Sequence, residues 1–63
     1  MRTIDLTLTN SNERITIIAD KIKTIKDEKY NYGENFTIIT FIDNDSISVN
    51  ENINAVKKLL GNI

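Results

Sequence analysis

The run from Phe36 to Val49, Phe-Thr-Ile-Ile-Thr-Phe-Ile-Asp-Asn-Asp-Ser-Ile-Ser-Val, is the stretch around which the rest of the chain must pack. Its first half, Phe36 to Ile42, carries large apolar side chains on both alternating faces: Phe36, Ile38 and Ile42 on one, Ile39 and Phe41 on the other. Its second half, Ser46 to Val49, is apolar on one face only. Extended chain that is greasy on both sides belongs in the middle of a sheet or against a second molecule.

Between the halves, Asp43-Asn44-Asp45-Ser46 suits a hairpin turn, because Asn and Asp accept positive φ better than other non-glycine residues. A two-residue turn at Asn44-Asp45 sets Ile42 opposite Ile47 and Thr40 opposite Val49. That register predicts Phe36, Ile38, Ile42, Ile47 and Val49 on the core face, and Ile39, Phe41 and Ser48 on the reverse.

The remaining segments supply what the hairpin needs. Thr3 to Thr9 alternates, with Ile4, Leu6 and Leu8 on one face, and the Asn10-Ser11-Asn12-Glu13 cluster reverses the chain into Arg14 to Ile18. Ala19-Asp20-Lys21 reads as a short turn into an extended run from Ile22 to Lys26; a single helical turn through Ile18, Ile22 and Ile25 is the alternative. Asp27 to Asn35 has no sustained apolar pattern and places Tyr30 and Tyr32 in a polar loop. The period then changes: Ile53, Val56, Leu59 and Leu60 recur at helical spacing, with Asn52 or Asn50 as N-cap, Lys57 and Lys58 near the C-terminal end, and Gly61 as a left-handed stop. Strands over 3–9, 14–18, 22–26, 36–43 and 46–50 and a helix over 52–60 give one α+β domain, a small antiparallel sheet of four to five strands with a C-terminal helix packed on one face.

A domain of 63 residues buries only about 60% of the surface its unfolded chain exposes. Small folds compensate with disulfides, a metal or a second subunit, and a chain with neither Cys nor His leaves chiefly the last. The expectation is a homo-oligomer. With eight Lys and Arg against nine Asp and Glu, a net charge of −1 exerts no general pull on nucleic acid or anionic membrane. No run approaches the ~20 apolar residues of a membrane span, and charges at Arg2 and Asp5 interrupt any signal-peptide core. A soluble cytoplasmic protein is expected. The abundance of Ile, Asn and Lys points to an AT-rich coding genome, that of a low-GC bacterium or its phage.

Catalytic chemistry finds little to build on. Asp43-Asn44-Asp45 resembles the start of a calcium loop, but the glycine and the bidentate glutamate that such a loop requires are missing. Asp20, Asp27, Glu28 and Glu34 read as solvated acids, and no nucleophile–base pair can be assembled without Cys and His. No enzyme activity, metal or cofactor is expected. Lys21, Lys23, Lys26 and Lys29 form a locally basic segment beside Tyr30 and Tyr32, though Asp20, Asp27 and Glu28 offset much of that charge. Arg14, Lys23, Lys26, Tyr30 and Tyr32 are therefore the candidates for holding a partner or an anionic small molecule, with an ordinary solvated surface as the plainer account. Ile39 and Phe41 are the candidate oligomer interface, left on the face turned away from the helix.

The pattern Ile4-x-Leu6-Thr7, Ile15-x-Ile17, Ala19-Asp20-Lys21-Ile22-Lys23-Thr24-Ile25, Thr37-x-Ile39 to Ile42 and Ile47-x-Val49-x-Glu51-Asn52-Ile53-Asn54-Ala55-Val56 resembles the small FlbD-like family, named for flagellar and swarming motility and with similar proteins in phages of gut bacteria. The resemblance implies a β-rich sheet closed by a helix and brings no catalytic residues. Where that family tends to carry Asn-Pro-Asp at the turn and a Ser cap, this chain has Ala19-Asp20 and Asn52, with a longer loop over 27–35.

These observations point to a non-enzymatic, homo-oligomeric binding module, an accessory protein of a phage or a low-GC bacterium acting on a host protein partner. A counter-defence protein that sequesters a nucleotide signal is the rival, and a motility regulator a third reading that rests on the resemblance.

Overall fold

The computed structural model describes residues 2–29 and 33–62, so Tyr30 and Tyr32 lie outside the described residues. It consists of strands β1 (Thr3–Thr7), β2 (Arg14–Ile18), β3 (Ile22–Lys29), β4 (Asn35–Phe41) and β5 (Ser46–Val49), followed by helix α1 (Ile53–Gly61), with a 3₁₀ turn at Ala19–Lys21 between β2 and β3. This is a small α+β fold of two antiparallel sheets, β1–β2 and β3–β4–β5. Among the described residues no helix is long and apolar enough to cross a membrane.

The two sheets meet at one seam. Leu8 bridges Val49, the Thr9 N–H donates to the Ser48 carbonyl at 3.1 Å and the Asn50 N–H to the Thr7 carbonyl at 2.8 Å. Thus β1 pairs with β2 along its length and passes its last backbone groups to β5. The reversal from β1 to β2 uses Asn12 at φ 56°, a left-handed conformation that Asn tolerates.

β3 runs three residues further than the sequence pattern indicates, to Lys29. Polar Asp27, Glu28 and Lys29 are held extended by pairing with Thr37, Phe36 and Asn35, so tertiary pairing overrides weak propensity. The step from Ile22, opposite Phe41, to Thr24, opposite Thr40, leaves Lys23 as an extra residue in a bulge.

The β4–β5 hairpin corrects the expected register. Ile47 lies opposite Ile39, three residues earlier along β4 than Ile42, and Val49 lies opposite Thr37. The cause is the turn. Asn44 has φ 73° and its N–H donates to the Phe41 carbonyl at 2.9 Å, while the Phe41 N–H donates to the Asp45 carbonyl at 2.8 Å. A two-residue turn of the favoured type needs positive φ at both central residues, and Asp45 does not supply the second; the chain instead makes a three-residue connection closed by one left-handed residue. Because side chains alternate with period two, an odd slip exchanges the faces. Ile39 is fully buried and Phe41 half-buried on the core side, so neither lies on the face turned away from the helix, and Ile39 offers no surface for an interface.

The core consists of Ile4, Leu6, Ile17, Ile39, Val49 and Val56, with Ile15, Ile22, Ile25, Phe41, Ile47, Leu59 and Leu60 packed around it. Val56 of α1 is fully buried among them, so the helix lies on the Ile39 side of the three-stranded sheet. Asn52 is the N-cap, its side-chain oxygen accepting from the Ala55 N–H at 2.8 Å. At the other end Gly61 is the last helical residue rather than a left-handed stop, and the Asn62 N–H donates to the Leu59 carbonyl at 3.2 Å.

Candidate interaction surface

The pairing of β3, β4 and β5 sorts their side chains into rows. Toward the helix stand Ile25–Ile39–Ile47 and, one row on, Asp27–Thr37–Val49. Away from it stand Thr24–Thr40–Ser46, Lys26–Ile38–Ser48 and Glu28–Phe36. The second set is an open sheet face with an apolar strip along β4 between polar flanks. Ile38 is half-buried, and Ile42, the first residue of the turn after β4, is 59% exposed, against 38% for Ile18. On this face the Thr40 and Ser46 hydroxyls share a hydrogen bond of 3.0 Å, and Lys26 reaches Glu28 at 2.8 Å. The hydrogen bond to Glu28, together with that carboxylate's charge, raises the Lys26 pKa above its ordinary 10.5. Along β4 and its turn, the apolar side chains outside the core are thus Phe36 and Ile38, half-buried on the open face, and Ile42, exposed in the turn, rather than Ile39 and Phe41.

The candidate cations are held apart, each by a different partner. Arg14 opens β2 and lies 3.1 Å from the Thr7 hydroxyl and 3.4 Å from a Glu51 carboxylate oxygen. Lys23 donates from the bulge to Asn44 Oδ1 at 2.9 Å. Lys26 is engaged with Glu28 on the open face. No hydrogen bond or ion pair among the described residues links Arg14, Lys23 and Lys26 to a common group.

Glu51 is the polar centre that sequence reading missed. One carboxylate oxygen accepts from the Thr7 N–H at 2.9 Å, the other from the Thr7 hydroxyl at 3.1 Å, and its main-chain carbonyl accepts from the fully buried Thr37 hydroxyl at 2.8 Å. Three parts of the fold, β1, β4 and the approach to α1, are fastened at one residue. Glu51 follows a strand and precedes a helix cap, a position with no periodic pattern to mark it.

A cleft of about 480 Å³ opens beside the start of α1, lined by Asp27, Gly33, Glu34, Asn35, Asn50, Asn52, Ile53 and Asn54. Part of its polar lining is already engaged: Asn52 Oδ1 caps the helix and Asn50 Nδ2 donates to Asn12 Oδ1 at 3.0 Å. Its charged side chains are the carboxylates of Asp27 and Glu34, a lining that disfavours an anion.

Comparison with protein-family models, with curated proteins and with solved structures returns no match.

Proposed function

We propose that this chain is a small, non-enzymatic, self-associating interaction module of the cytoplasm that presents the open face of its three-stranded sheet to a protein partner. The observation that carries the reading is apolar surface left outside the core, Ile38 on the open face of β4 and the 59% exposed Ile42 in the turn that follows it, in a chain of 63 residues whose core is already filled from the opposite face. Exposed apolar surface beside a polar rim is the usual composition of a protein contact. Dispersal of Arg14, Lys23 and Lys26 onto separate internal partners, and the acidic lining of the cleft, both weigh against the rival reading of a nucleotide-sequestering protein. A role in motility rests on the FlbD-like resemblance alone, and a phage or low-GC bacterial origin on the richness in Ile, Asn and Lys.

A thermal-shift screen with nucleotides and other small anions separates the readings. The melting temperature is expected to stay unmoved at saturating ligand, whereas a saturable rise with any of them would replace the interaction module with a sequestering protein.

A further inference from the structure

We draw no further inference here: the strongest candidate, the cleft beside the start of α1 that carries the carboxylates of Asp27 and Glu34, is a pair of exposed acids next to a helix N-terminus, and nothing in the structure points to a ligand that would occupy it.

Discussion

The buried Thr37 hydroxyl donates to the main-chain carbonyl of Glu51 across 2.8 Å, tying the middle of β4 to the residue that precedes the helix cap. Thr37 lies in the row that ends at Val49, so this bond secures the approach to α1 on the same face of the sheet that receives Val56. Thr37→Val keeps the shape and strands the carbonyl. It should cost roughly 1–3 kcal/mol in chemical denaturation, with Thr37→Ser recovering much of the loss.

Glu51 and Arg14 should separate in their effects although they touch. Glu51→Ala removes the acceptor for the Thr7 N–H and hydroxyl from a part-buried site and should cost about 1–3 kcal/mol. Arg14 has a side chain 65% exposed, and Arg14→Ala should change stability by less than about 1 kcal/mol. Equal effects in urea titrations would show that the pair acts as one unit.

Asn44 at φ 73° closes the hairpin that sets the faces of β4. Asn44→Gly should be neutral or slightly stabilising, whereas Asn44→Val, branched at Cβ, should cost about 1–2 kcal/mol at a left-handed position. Thermal unfolding of the two variants checks the sign of the difference.

Much of the fold was legible in the sequence. Alternation in Thr3–Thr7 and Arg14–Ile18, the Asn52 cap and the helical spacing of Val56, Leu59 and Leu60 all correspond to elements of the structure. The faces of β4 were not legible, because both are apolar and only the turn decides between them. One residue of loop length, settled by whether Asp45 joins Asn44 at positive φ, exchanges Ile39 with Ile38. The reach of β3 through Asp27, Glu28 and Lys29 and the anchoring role of Glu51 escaped for a related reason: both depend on long-range partners, Thr37 and Phe36 in one case and Thr7 and Thr37 in the other.

The corrected faces make a paired prediction. Ile39→Ala opens a cavity in the core and should cost about 2–5 kcal/mol. Ile42→Ala, at a site 59% exposed, should stay within about 0.5 kcal/mol. Denaturant midpoints compare the two directly.

On the open face, Glu28→Gln should lower the Lys26 pKa toward its ordinary 10.5, since the bond to Glu28 is the main cause of the raised value. The sign follows from the direction: a raised lysine supports folding most fully below its unfolded pKa, and that support is lost as pH rises through the folded value. NMR titration of the Lys26 side chain in the two proteins shows it, with added salt narrowing the difference.

The proposed self-association requires that this domain complete itself with a second copy. Sedimentation velocity of the native 7.2 kDa chain across the micromolar range tests it most directly. A concentration-dependent shift toward a species of twice that mass is expected, and a single 7.2 kDa species throughout would contradict self-association.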